Sequence, residues 1–163
     1  MKKIIVHWTG GTWQPNFTDF EHYHYLVDGT GEILKGNYDP EDNQNCTDGK
    51  YARHCGGGNT RSIGVAMCGM FVPQRAPIEK TEFPLTKIQC EATFKLIAEL
   101  AKKYSIKITP KTVLTHYEFG QKNPKTSSYG KIDIIWLPPF PFLSADDVGK
   151  FIRNKAKWYL GKL

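Results

Sequence analysis

Apolar positions recur along this chain with the two spacings that separate strands from helices. Lys3-Ile4-Ile5-Val6-His7 is a short β-branched run and predicts a buried strand ending on His7. Thr9-Gly10-Gly11-Thr12 is a loop by composition, and Thr18 to His22 leaves room for one or two helical turns. Tyr25-Leu26-Val27 and Glu32-Ile33-Leu34, joined by Asp28-Gly29-Thr30-Gly31, predict a β-hairpin with a glycine-rich turn. Asn37 to Asn59 is polar and rich in Gly, Asp and Asn, a long loop of the kind that usually carries function or moves. Ser62 to Met67 is apolar enough for a central strand.

Thr86 to Tyr104 gives the clearest helical signal. Thr86 and Gln89 have capping-box spacing, and Cys90, Phe94, Ile97, Ala101 and Tyr104 form one apolar stripe. Glu91 with Lys95 and Glu99 with Lys103 are favourable pairs four residues apart on the other face. Lys111 to Leu114 then reads as a strand delivering His116. Pro138 to Pro141 is a proline-rich loop, and a last helix is expected from near Ser144 to about Tyr159. Strands interleaved with helices predict an α/β fold: a single domain over 1–163, with a central mixed β-sheet flanked by helices.

Composition narrows the function classes. A chain of 163 residues suits one core, and 40% hydrophobic with 23% charged residues is ordinary globular usage. No stretch is long enough to span a bilayer. The apolar run after Lys2-Lys3 lasts three residues and lacks a small-residue cleavage site, so the expectation is a protein made in the cytoplasm without a signal peptide. A net charge of +6 favours an anionic partner such as a bacterial wall, and no nucleic-acid-binding motif appears. Cys46, Cys55, Cys68 and Cys90 contain no CxxC pair, which argues against a cysteine zinc site. Cys68 and Cys90 read as core residues, while Cys46 and Cys55 flank a loop and could form a disulfide in an oxidising space.

Candidate chemistry rests on the histidines. Of His7, His22, His24, His54 and His116, two close an apolar β run, in Ile-Val-His-Trp-Thr and Leu-Thr-His-Tyr-Glu. Open α/β sheets place their sites at such strand ends. A catalytic zinc takes about three protein ligands and leaves one position open. His7 and His116 supply two neutral nitrogens, and Asp133 is the candidate third ligand, with Glu118, Asp146 and Asp147 as alternative acids. Lys131 stands two residues before Asp133. An extended segment would turn both to one side, with the ammonium placed to meet an oxyanion.

Several short segments resemble, in order, those of the zinc-dependent N-acetylmuramoyl-L-alanine amidases, a family that includes phage lysozyme-type amidases and animal peptidoglycan-recognition proteins. They are Ile4-Ile5-Val6-His7, Tyr23-His24-Tyr25-Leu26-Val27 before Asp28-Gly29, His54 with Asn59 and Ser62-Ile63-Gly64-Val65, Leu114-Thr115-His116, and Lys131-Ile132-Asp133. The resemblance implies a zinc cleft at strand ends and hydrolysis of the amide between the muramic-acid lactyl group and L-alanine in peptidoglycan. It implies His7, His116 and Asp133 as zinc ligands, Tyr23 and Lys131 as catalytic residues, and His54, Trp8 and Asn59 as substrate contacts. Adjacent strand residues face opposite ways, which assigns Tyr23 to the cleft and His24 to structure; His22 reads as an ordinary surface residue. The sequence departs from the family in two places. Only about fifteen residues separate His7 from the Tyr-His pair, so Trp8 to Phe20 must rebuild one wall, and Ile134-Ile135-Trp136 follow Asp133 where proline and glycine are usual. A monomeric phage-type endolysin, acting on the wall after release, is the biological role expected; a non-catalytic recognition module and a zinc peptidase acting on stem peptides are the alternatives.

Overall fold

The computed structural model describes all 163 residues. Its centre is a five-stranded mixed sheet formed by β1 (Lys3–Trp8), β2 (Tyr25–Val27), β3 (Ile33–Lys35), β4 (Ser62–Met67) and β5 (Val113–Thr115). The strand order is β3-β2-β4-β1-β5. β1 pairs in parallel with both β4 and β5, β2 runs parallel to β4, and only the β2–β3 hairpin is antiparallel. β1 and β4 are covered on both faces, as their nearly unbroken apolar runs require.

Alternation along β1 sorts its side chains. Ile4, Val6 and Trp8 join the main core, with Ile63, Val65 and Met67 of β4. That core is closed by two long helices, α2 (Lys87–Lys103) and α4 (Ala145–Leu160), which contribute Phe94, Ile97, Leu100, Val148 and Ile152. Ile5 faces the other way, into a small cluster with Cys55, Leu114 and Phe119. His7, two residues on, shares that second face.

The expected capping box of α2 forms, with the Thr86 hydroxyl accepting from Gln89 N–H and the Gln89 side chain accepting from Thr86 N–H. Gln89 is fully buried, and its amide donates to the carbonyls of Val27 and Cys68 at the ends of β2 and β4. The shortened first wall contains a six-residue helix, α1 (Phe17–His22), with an Asn16–Asp19 capping box.

Three local expectations change. A helix, α3 (His116–Lys122), begins directly at the end of β5, so His116 is a first-turn residue rather than part of a strand–loop transition. Lys131 to Asp133 form no strand and lead into a turn, in which Ile135 N–H donates to the Ile132 carbonyl. All four cysteines are free: Cys46 Sγ faces the Asn43 carbonyl and Cys55 Sγ the Ser128 hydroxyl. Cys68 and Cys90 are fully buried, and burial pushes both thiols up to about 12.

Candidate metal centre

The C-terminal end of β1, the start of α3 and the loop after it converge on one point. His7 Nδ1 lies 3.1 Å from His116 Nδ1 and 2.8 Å from Asp133 Oδ2, and His116 Nδ1 lies 3.1 Å from the same oxygen. All three residues are buried. Donors bound to one tetrahedral zinc at 2.0–2.1 Å would stand about 3.3 Å apart, so the triangle needs only slight expansion to hold an ion.

Both imidazoles are fixed from behind. His7 Nε2 is 3.0 Å from His54 Nδ1, and His116 Nε2 is 2.9 Å from the Ser128 hydroxyl, which itself donates to the Gly56 carbonyl. His54 Nε2 faces the Ser62 carbonyl at 3.4 Å. These contacts define a consistent tautomer chain. His54 donates through Nε2 to Ser62, accepts at Nδ1 from His7 Nε2–H, and so leaves the His7 Nδ1 lone pair aimed at the shared point. Gly64 belongs to this arrangement, because a Cβ there would stand 2.5 Å from the His54 ring. Burial holds His54 well below the ordinary imidazole value and His7 at about 4, despite Asp133 beside it.

Asp133 gathers the charge of the site. Burial opposes its ionisation, but bonds to His116 and His7 hold it well below the usual carboxylate range. Burial likewise disfavours charge on His116, yet Asp133, aided by Cys55, raises it to about 9. Two imidazole nitrogens turned on one carboxylate oxygen are thus a cation-seeking arrangement, satisfied by a proton or by a metal. The next residue, Ile134, has φ +69°, a left-handed conformation that is unfavourable for a β-branched side chain. The turn sends the Ile134 side chain into the main core while Asp133 stays on the site. Burial of that isoleucine offsets the strain and accounts for an apolar residue where proline or glycine was expected.

A cleft of about 550 Å³ opens over the triad. Its lining includes Trp8, Tyr23, His54, Asn59 and Lys131 from the sequence reading, and also His22, Tyr51, Arg53 and Ser127. Tyr23 caps α1 in extended geometry, with its ring 5.1 Å from that of His7; burial, then the charge of Asp133, pushes its phenol upward. His24 turns away, bonding Asn43 Oδ1 through Nε2 and accepting from Gly64 N–H at Nδ1. Trp8 borders the cleft, but the alternation that aims His7 at it turns the Trp8 side chain into the core. Asn59 accepts from the N–H groups of His54 and Cys55, pinning the loop; its Nδ2 makes no bond in the protein. Lys131 is exposed at the cleft and makes no ion pair.

Glu118 and the other alternative acids are committed elsewhere. Glu118 accepts from Thr115 N–H and from both terminal nitrogens of Arg153. Asp147 accepts from the Ser144 hydroxyl, and Asp146 faces the Tyr117 hydroxyl. Sequence reasoning missed α3, Ser128, Tyr51 and Arg53. Thr115 with Glu118 is a capping-box pair, and that signal could have found α3. Nothing local marked Ser128, which reaches His116 only through the folding of its loop.

Known proteins share the fold and the family of this chain. A search of curated proteins finds no match. Two solved structures of PlyL share the fold. One, a point mutant, has a TM-score of 0.53 at 22% identity, covering 96% of this chain and 84% of that one. The other has a TM-score of 0.50 at 18% identity, covering 95% and 82%. The family model for N-acetylmuramoyl-L-alanine amidase matches residues 1–130, a span that holds His7 and His116 and ends three residues before Asp133. The chain therefore belongs to the N-acetylmuramoyl-L-alanine amidase family.

Proposed function

We propose that this protein is a zinc-dependent hydrolase of the amide between N-acetylmuramic acid and L-alanine in bacterial peptidoglycan. The observation that carries this reading is the buried His7–His116–Asp133 triangle at the floor of an open cleft, in a chain of amidase family. The donors suit zinc: two imidazoles oriented by second hydrogen bonds and one carboxylate, with His116 and Asp133 lining the cleft and His7 buried directly against them. When bound there, zinc would supply Lewis acidity and lower the pKa of water to roughly 7, as in well-studied zinc hydrolases.

The protein's own groups divide the remaining work. His7 and His116 present Nδ1, with tautomers set by His54 and Ser128. The Tyr23 phenol, kept protonated by burial, stands beside His7 to orient the attacking water or donate to the intermediate. Lys131 at the rim supplies positive charge to the lactyl carbonyl oxygen as it becomes an oxyanion. Asn59 Nδ2 is free to donate to substrate, Trp8 backs the wall, and His54 serves the substrate indirectly by holding His7. We assign the chain a monomeric, endolysin-type role on the wall after release from the cytoplasm; a net charge of +6 suits that anionic surface.

Digestion of purified peptidoglycan with and without a chelator, followed by mass analysis, tests the reading. New L-alanine amino termini on intact glycan strands, lost with the chelator and restored by zinc, are expected. Cut glycan strands, or chelator-resistant cleavage, would overturn it.

A further inference from the structure

The cleft is unbalanced in charge. Among its fifteen lining residues the only carboxylate is Asp133, which is committed to the two histidines, while Arg53 and Lys131 are cations without an acidic partner. Lys131 is accounted for by the reaction proposed above. Arg53 is not, and it is held in a way that an ordinary surface arginine is not.

Its guanidinium lies 4.6 Å from the centroid of the Tyr51 ring, and one terminal nitrogen donates to the Gly49 carbonyl at 3.2 Å. Contact with the ring face restrains the group, and the single backbone bond leaves the other N–H donors free. The backbone beneath it is equally constrained. His54, the next residue, is buried against His7, and its N–H and that of Cys55 are pinned by Asn59 Oδ1. Arg53 is therefore a planar, pre-oriented fork at a fixed offset from the triad, on the exposed side of the loop whose buried side supports the metal centre.

We infer that Arg53, stacked on Tyr51, forms a carboxylate-recognition subsite that selects stem peptides bearing a free carboxylate next to the scissile L-alanine. The inference rests on the amidase reading of the cleft and extends it to the substrate class. A guanidinium fork pairs with a carboxylate through two parallel N–H···O bonds, whereas a carboxamide offers one neutral acceptor and places a donor against a donor. Because the fork is already oriented, little side-chain entropy is lost when the substrate docks.

Two soluble substrates test this: N-acetylmuramoyl-L-alanyl peptides identical except that the acidic residue after alanine carries free carboxylates in one and carboxamides in the other. The wild-type protein, loaded with zinc, should prefer the free acid on the order of ten-fold in kcat/KM, mainly through KM. Arg53→Gln should bring that ratio close to one. Arg53→Lys, which keeps the charge but loses the fork and the stacking, should recover only part of it. The ratio is measured within one protein sample, so a reduced folded fraction cannot imitate its loss. Wild-type cleavage of both substrates at equal rates, or an unchanged ratio in Arg53→Gln, would overturn the subsite alone. Cleavage of neither substrate would overturn the amidase reading and the subsite with it.

Discussion

Two carboxylates lie near the start of α3, the buried Asp133 and the partly buried Glu118, and the protein treats them differently. Glu118, in the first turn, is closed: Oε1 receives Thr115 N–H at 3.0 Å and Arg153 Nη1 at 2.9 Å, and Oε2 receives Arg153 Nη2 at 3.1 Å. α4 approaches so closely that a Cβ at Gly149 would stand 2.1 Å from Glu118 Oε1. Asp133 is open: its only side-chain partners are two imidazole nitrogens, both on Oδ2, and the cleft lies above them. A permanent guanidinium neutralises the first acid, which thereby joins β5, α3 and α4. Only a proton or a metal can fully neutralise the second. Nearness in the chain to His116 does not mark the acid that converges on it, since Glu118 is two residues away and Asp133 seventeen; the permanence of the partner separates the two.

The largest effect should come from the open acid. Asp133→Asn removes the negative charge on which both histidines converge, and zinc affinity should fall by more than the roughly 10–100-fold usual for loss of a supporting residue. Peptidoglycan hydrolysis should fall below detection, and calorimetric zinc titration with metal analysis of the dialysed protein measures the binding directly. Retention of stoichiometric zinc in Asp133→Asn would remove the distinction between the two carboxylates.

The closed acid should fail in stability instead. Glu118→Gln leaves Arg153 buried and unpaired, and loss of one partner of a buried pair costs about 3–5 kcal/mol. Urea unfolding should record that loss, while zinc affinity, measured well below the unfolding transition, stays within ten-fold of wild type. Loss of zinc from a folded Glu118→Gln protein would show that this acid serves the metal after all.

A smaller effect tests how the open site is supported. His54→Leu removes the acceptor for His7 Nε2–H, and zinc affinity should drop roughly 10–100-fold with the three donors still present. Cadmium or cobalt titration can follow the same affinity spectroscopically. An unchanged affinity would mean that the His7 tautomer is set without His54.

Much of this contrast was legible in the sequence, and what escaped did so for physical reasons. β1, β4, the hairpin, α2 and α4 carry long periodic signals or caps, and the structure forms them within a residue or two of their expected bounds. Seven residues are too few for helical periodicity to register, so α3 was hidden although its capping pair was in view. Without α3 nothing distinguished Glu118 from a metal-proximal acid, because its partner Arg153 lies 35 residues away on another helix. The Lys131–Asp133 pair was visible as spacing. The left-handed turn at Ile134 that shapes the end of this segment depends on burial, which a local pattern does not encode.

Glu91 supplies the weakest and most graded case, an acid neither closed nor open. It binds Lys155 Nζ at 2.7 Å through one oxygen and the Tyr159 hydroxyl through the other, with about a quarter of its side chain in solvent. Burial disfavours its charged form, but these partners prevail and lower its pKa from the ordinary 4.5. A depressed carboxylate stabilises the fold fully above its unfolded value, and that contribution disappears as pH falls through the lower folded one. Wild-type stability should therefore decline below about pH 4.5 partly through Glu91, and Glu91→Gln should flatten that portion of the curve. At pH 7 the same substitution should cost under about 1 kcal/mol, because water screens the pair. Chemical denaturation from pH 3 to pH 7, comparing wild type and Glu91→Gln, resolves the difference. A loss at pH 7 as large as that of Glu118→Gln would mean that exposure does not grade these acids, and that the geometry of the α2–α4 tie matters more than its access to solvent.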